Sequence, residues 1–320
     1  MTNLNKNHKQ AFSLVEISIV ILIIGLLIAG ISKASDMIFD AELKSGRSLT
    51  KGAKVGRMAN LALWLETTSA ESILDNERFK DTTVTLWRDI NPQSTSKFIF
   101  KSSGAPKYIE EGQNNMPAIG KFTLATDLFL PYSSEASTTV LPYPSTQIFS
   151  SGAYATIFVV LKPAATVTNL ISFCEYTATA TPHACSGGKE ISLGLGGSGT
   201  LTFGFMNAAA TTSTLTSSNA YASRNLIIVS AIKDTGSIDK PANQKLFVNG
   251  GDKVALATAN TYATTNAFSG TFRVGGTASS GVEIYEIIVF SSNLSDADRY
   301  SVESYLGKKY NIPVAQNSAI

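Results

Sequence analysis

Carboxylates, thiols and imidazoles are the side chains that could carry chemistry here, and the 320-residue chain offers few of them in useful arrangements. It has two histidines, His8 and His183, and two cysteines, Cys174 and Cys185. A Ser/His/Asp or Cys/His mechanism, or a zinc site built from several imidazoles, would have little to work with. Glu283 and Glu286 are candidates for the carboxylate pair of a polysaccharide hydrolase, but they are three apart. In a regular strand such residues point to opposite faces, so Glu283 would need a carboxylate from elsewhere. The two are expected as one rim charge and one inward charge paired with an arginine or with backbone groups. No Asp-rich D-x-D-x-D loop occurs, and Asp127, Asp234 and Asp252 stand singly, so the sequence calls for no metal and no cofactor. GLGGSG at 194–199 lacks the Lys-Ser/Thr and the helix of a phosphate loop and reads as a hairpin turn. Trp64 and Trp87 could stack on sugar rings, but their apolar strand contexts assign them to the core. Ten residues rich in Thr, Ala and Pro separate Cys174 from Cys185. In an exported domain that spacing suggests a disulfide closing a surface loop, and in the cytoplasm two thiols.

The elements that would position these residues fall into two regimes. Phe12 to Ile31 is a 20-residue apolar run with one charge, Glu16, long enough to cross a bilayer as a helix. A carboxylate there costs up to about 2.5–3.5 kcal/mol on insertion scales, so Glu16 needs a partner or a function. An ordinary secretory signal has its small residue after the apolar core, whereas Ala11 precedes it. Lys6 and Lys9 before the run are matched by Lys33, Lys44 and Arg47 after it, so charge alone does not orient the span. The pattern stays helical through Met37, Ile38, Phe39 and Leu43. Ser45-Gly46, Gly52 and Gly56 then break it, which predicts a helix over 12–45 and a linker over 46–58. Lys44, Arg47, Lys51, Lys54 and Arg57 form a basic run that reads as a solvated stretch near lipid headgroups.

Beyond the linker the pattern is that of a mainly β domain over 59–313, an antiparallel β-sandwich with a short C-terminal helix and a tail over 314–320. Strands are predicted at Thr83–Trp87, Thr156–Leu161, Leu170–Cys174, Glu190–Leu195, Thr200–Phe205, Leu226–Ile232, Lys245–Val248, Thr271–Val274 and Val282–Phe290. Asn249-Gly250 predicts a tight hairpin turn. The Ser/Thr-rich stretches 133–151 and 207–223 read as long loops. A helix is predicted over Ser295–Tyr310, capped by Ser295, with Asp298 in its first turn and Tyr300, Val302, Tyr305 and Leu306 toward the sandwich.

The residues KQAFSLVEISIV resemble the type IV prepilin signature: a short basic leader, a small residue, Phe, and Glu four positions later in an apolar helix. The resemblance implies that residues 1–11 are a leader removed by a prepilin peptidase between Ala11 and Phe12, and that the Phe12 amine is methylated. That family usually has Gly where this chain has Ala11, and Ala is small enough for the same cut. It also implies a partner for Glu16, the Phe12 amine of its own or a neighbouring subunit, and hence a role in assembly. Loss of the leader removes His8, Lys6 and Lys9 and leaves 24 basic against 24 acidic residues. A uniformly basic nucleic-acid binder is thereby disfavoured.

The segments ALWLETT (62–68), TLWRDI (85–90), TIFVVLK (156–162), KLFVNGG (245–251), FRVGG (272–276) and the 283–312 stretch resemble concanavalin A-like lectin, or laminin-G-like, jelly-roll domains over most of residues 60–313. These are fold markers and choose no ligand-binding residues. Together the resemblances imply a single-pass inner-membrane protein with its C-terminal domain outside the cytoplasm, found in a pilus, pseudopilus or at the cell surface after assembly. The expected role is a minor pilin or pseudopilin, because so large a head would crowd a helical lattice. Its partners would be the peptidase, other pilin subunits, membrane lipid, and a glycan or surface polymer, and it would not be an enzyme. The alternatives are an anchored carbohydrate-binding protein outside any filament, then a polysaccharide hydrolase.

Overall fold

The computed structural model describes residues 13–95, 97–120, 129–132, 134–136, 154–163, 167–175, 190–196, 199–206, 212–217, 225–233, 244–252, 254–255, 270–275 and 281–315. Helix α1 runs over Leu14–Gly52. Its N-cap is Ser13, whose hydroxyl accepts from Val15 N (3.4 Å) while its own N–H donates to Glu16 Oε2 (2.8 Å). This reciprocal pairing satisfies donors that a helix start otherwise leaves open. From Leu14 to Ile31 the large apolar side chains on all sides of α1 are exposed, so this half packs on nothing in its own chain. It is long and apolar enough to cross a membrane.

The second half of α1 behaves differently from expectation. Instead of ending near residue 45, the helix continues to Gly52. Gly46 is buried, and a Cβ there would stand 3.3 Å from Met116 Sδ, so glycine permits close packing where propensity alone predicts a break. The next residue, Arg47, donates from Nε to Thr68 O (2.7 Å). Ala53 then leaves helical geometry and a 3-10 turn follows over Lys54–Arg57, with Ala53, Val55 and Met58 all buried. The stretch 46–58, expected as a linker, is helix and packed turn. In its basic run, Lys54 pairs with Asp298 (3.1 Å).

Seventeen described strands follow. They are β1 (Leu61–Glu66), β2 (Leu86–Arg88), β3 (Ile99–Ser102), β4 (Lys107–Ile109), β5 (Ala118–Gly120) and β6 (Phe129–Tyr132). Next come β7 (Ala155–Lys162), β8 (Val167–Glu175), β9 (Glu190–Leu195), β10 (Leu201–Met206), β11 (Thr212–Ser217) and β12 (Ile227–Lys233). The last are β13 (Gln244–Val248), β14 (Gly251–Asp252), β15 (Val254–Ala255), β16 (Gly270–Val274) and β17 (Glu283–Phe290), before helix α2 (Asp296–Tyr310). Sheet A has the order β14-β13-β12-β7-β17-β5-β4 with β1 also on β17, and sheet B the order β15-β11-β10-β9-β8-β16-β6-β3-β2. Adjacent strands are antiparallel in both.

Between the sheets lies one apolar core, including Leu63, Trp87, Phe100, Val159, Phe173 and Phe272. A second core, including Trp64, Phe158, Tyr285, Ile288, Val302 and Leu306, fills the space between the other face of sheet A and the helices. Sheet A is therefore buried on both faces, which is why β7 and β17 read as near-continuous apolar runs. Helix α2 starts as expected, Asp298 N donating to Ser295 Oγ (3.1 Å), and ends on Asn311 in left-handed geometry (φ 52°). Asn249 and Gly250 also have positive φ (49° and 78°), as the β13–β14 turn requires.

Three expectations shift. The stretch 207–223 holds β11, a Thr-rich strand whose pairing with β10 and β15 outweighs its polar composition. Thr83 forms an isolated bridge to Lys107, so β2 begins only at Leu86. Val314 and Ala315, expected as tail, dock on the β13–β14 hairpin, Ala315 N donating to Asn249 O (2.7 Å). Most of 133–151 lies outside the described residues.

Among the described residues, two sheet edges are covered. Residues 81–84 run along β4, with Tyr108 N donating to Thr82 O and Val84 N to Pro106 O, before the chain enters β2 of the other sheet. On the opposite side β14 in sheet A leads to β15 in sheet B across one residue. The free side of β1 is covered by 89–91: Trp64 N donates to Asp89 Oδ1 (2.9 Å), Ile90 N to Trp64 O (2.8 Å) and Asn91 Nδ2 to Leu61 O (2.9 Å).

Candidate functional site: the helix–head junction

Where α1 meets the head, a lysine is fully enclosed. Val302, Tyr305, Leu306 and Lys309 share the helical spacing that turns one face of α2 toward sheet A, and this places Lys309 in the second core. Its Nζ donates to Glu66 Oε2 (2.6 Å) on β1, Glu286 Oε2 (2.7 Å) on β17 and Thr50 Oγ1 (2.8 Å) on α1. The side chains of Lys309, Glu66 and Glu286 are all 0% exposed. Glu286 also accepts from Trp64 Nε1 (2.7 Å), Tyr305 OH (2.9 Å) and Tyr310 OH (2.8 Å). Glu66 Oε2 accepts from Thr68 N (3.1 Å) and Thr68 Oγ1 (2.5 Å), while Glu66 Oε1 is buried without a partner.

A β-bulge makes this arrangement possible. In the register of β17 on β7, Ile284 faces Leu161 and Glu286 faces Val160, so Tyr285 is extra. A bulge brings consecutive side chains to one face. Tyr285 and Glu286 thus both reach the helix side, while Ile284 and Ile287 stay in the inter-sheet core. Burial pushes the Glu286 carboxyl up, against the nearby Lys309 ammonium. For Lys309, burial works downward, but the Glu286 and Glu66 charges outweigh it and the ammonium is held above its ordinary range. Burial also raises the Tyr305 and Tyr310 phenols, so both remain protonated donors.

The sequence-predicted residues lie elsewhere or take other partners. Glu16 is in the first turn of α1, its carboxylate on Ser13 N–H. Ala11, Phe12, His183 and Cys185 lie outside the described residues, as does the Cys174–Cys185 pairing, although the backbone of Cys174 is in β8 opposite Thr271 and Glu190. Glu283 takes Lys162 Nζ (2.8 Å) and Tyr285 OH (2.6 Å), whereas Glu286 faces inward on a lysine, not the expected arginine. Trp64 and Trp87 are both in the core. Among the described residues no three His, Cys, Asp or Glu side chains gather as a metal site. Sequence reasoning missed Glu66, Thr50 and Lys309; the available signal was a lysine on the apolar stripe of α2.

Away from the helices, the outward row of sheet B reads Arg273, Ser172, Ser192 and Gly204 across β16-β8-β9-β10. Arg273 Nε donates to Ser172 Oγ (3.1 Å), both being buried, and Ser192, Thr202 and Gly204 keep partial access.

The family model described as the prokaryotic N-terminal methylation motif matches residues 6–32. This segment carries a type IV prepilin motif. The pilin-type helix is thus the one whose far end is built into the junction. Solved structures give broader likenesses. The botulinum neurotoxin serotype G binding domain aligns with a TM-score of 0.48 and 9% identity, over 78% of this chain and 51% of that one. The binding domain of Paraclostridial Mosquitocidal Protein 1 gives 0.46 and 10%, over 77% and 52%. The Ruminococcus gnavus IT-sialidase CBM40, bound to alpha2,3 sialyllactose, gives 0.37 and 16%, over 50% and 88%. The chain spans about half the length of the neurotoxin domain. At these scores the fold rests on the strand pairing itself. A search of curated proteins finds no match.

Proposed function

We propose that the chain is an exported minor pilin or pseudopilin, cut between Ala11 and Phe12, whose sandwich head binds a glycan or other surface polymer and performs no catalysis. The observation that carries this reading is the continuity of α1: one helix supplies both an unpacked apolar half bearing the prepilin motif and a second half hydrogen-bonded into the head. Such a helix delivers the head in a fixed attachment. The helices occupy the outer face of sheet A, so the polar, small-residue outer face of sheet B is the place proposed for the polymer. Enclosure of Glu286 and the engagement of Glu283 by Lys162 and Tyr285 support the absence of a hydrolytic pair.

A second reading, an anchored binding protein outside any filament, is favoured by one observation. Glu16 already has a partner in its own chain, Ser13 N–H, and a simple anchor needs nothing more. Expression in an exporting host, N-terminal sequencing, and comparison of the sheared surface fraction with the membrane fraction test the two. Cleaved protein in the sheared fraction supports the filament subunit, and cleaved protein held wholly in the membrane supports the anchor. A glycan array probed with the detergent-solubilised chain tests the head. Thr202→Trp is expected to abolish binding, and a blank array would sink the lectin assignment.

A further inference from the structure

We propose that Lys309 and Glu66 condense into an intramolecular isopeptide bond, with Glu286 as the proton relay, so that β1 and α2 become covalently joined. Three features of the junction carry this. The first is placement: Nζ lies 2.6 Å from a Glu66 oxygen inside a fully enclosed site fixed by four elements. A carboxyl oxygen at that distance puts its carbon near the roughly 3–3.5 Å separation from which bond formation proceeds, with the cost of bringing the groups together already met by folding.

The second is the treatment of the two Glu66 oxygens. Oε2 receives the Thr68 amide and hydroxyl, donors suited to the negative charge that develops there when a nucleophile adds to the carboxyl carbon. Oε1 is buried with no hydrogen-bond partner, a condition that calls for a reason. It is the oxygen free to leave. The third is the second carboxylate: Glu286 contacts the same Nζ at 2.7 Å and is held by Trp64, Tyr305 and Tyr310, which also wall off water. Burial disfavours its charged form and so makes it a better proton carrier.

The step balances without any added reagent. Glu286 takes a proton from the Lys309 ammonium it contacts and hands it to Glu66 Oε1 once attack at Cδ has brought that oxygen beside Nζ. The freed Nζ lone pair attacks Glu66 Cδ, and the carbonyl electron pair moves onto Oε2 at Thr68. A second Nζ proton follows the same route to Oε1, the Cδ–Oε1 bond breaks with its electron pair, and water departs. Nζ keeps one hydrogen in the resulting amide. The bond spans 243 positions of sequence, joining the first strand after α1 to the last helix.

The test uses the full chain, purified in detergent from an exporting host, reduced, denatured and digested. The expected result is a single branched peptide containing Glu66 and Lys309, lighter than its two parts by one water, and absent from Lys309→Arg and Glu286→Gln. Separate, unmodified Glu66 and Lys309 peptides from the wild-type chain would overturn the proposal, whether or not the variants fold. A branched peptide that persists in Glu286→Gln would overturn the relay role.

Discussion

Asp89 closes the open side of β1 with a carboxylate instead of a strand, and this has a measurable pH signature. Burial raises its pKa from 3.8 to about 6, against the backbone N–H groups of Asn91 and Trp64 and the charge of Lys97. Asp89 Oδ2 has no partner, so ionisation places charge where little stabilises it. A shift of about two units corresponds to about 3 kcal/mol. Because the folded value is raised, the contribution is fully present below the unfolded pKa of 3.8 and is lost as pH rises through about 6. Asp89→Asn retains an oxygen for Trp64 N and Asn91 N and removes the titration. Its absolute stability at neutral pH combines relief of up to about 3 kcal/mol with about 1–3 kcal/mol for an amide that lacks an acceptor. The pH slope is therefore the decisive quantity. Urea unfolding of the detergent-solubilised chain, followed by fluorescence of the buried Trp64 and Trp87, should show wild type losing about 2 kcal/mol relative to Asp89→Asn between pH 3.8 and pH 6, and about 3 kcal/mol once the window extends about one unit to either side. Parallel curves for the two proteins would refute the reasoning.

Other substitutions probe the remaining elements. Glu16→Ala should leave membrane insertion and leader cleavage intact, as checked by N-terminal sequencing, while reducing the protein in sheared surface fractions; unchanged shedding would remove Glu16 from assembly. Lys309→Met strands two carboxylates in the second core and should destabilise the head by about 3–5 kcal/mol in the same urea assay. The exported chain should carry a Cys174–Cys185 bond, and two thiols alkylated without reductant would exclude it. Gly250→Ala should be destabilising, because φ is 78° and a Cβ would stand 2.6 Å from Ala315 O; an unchanged melting temperature would contradict that strain.

Much of the fold was legible because local signals agreed with tertiary structure. The apolar run from Phe12, the Ser295 cap and the Asn249-Gly250 turn each satisfy a backbone requirement within a few residues. Glycine misled at Gly46, where its lack of a side chain serves close packing against Met116 rather than a break. The polar composition of Thr212–Ser217 concealed a strand whose existence depends on partners far along the chain. The junction was the least legible part. Alternation puts Glu283 and Glu286 on opposite faces, but the bulge at Tyr285 turns both toward the helix side, and no local residue announces a bulge. Lys309 looks like an ordinary basic residue in a last helical turn until three other elements enclose it.

The covered edges of the sandwich bear on life at high density. In the role proposed above, chains held in a membrane plane by their N-terminal helices would meet one another far more often than molecules dissolved in three dimensions. An exposed strand edge on each would then be a standing invitation to β-pairing between neighbours and, eventually, to precipitation. Here the 81–84 segment along β4 and the Asp89–Asn91 cover on β1 remove part of such a template. Heads crowded in that way would have fewer strand edges with which to template one another, and contact between neighbours would fall more to the helix.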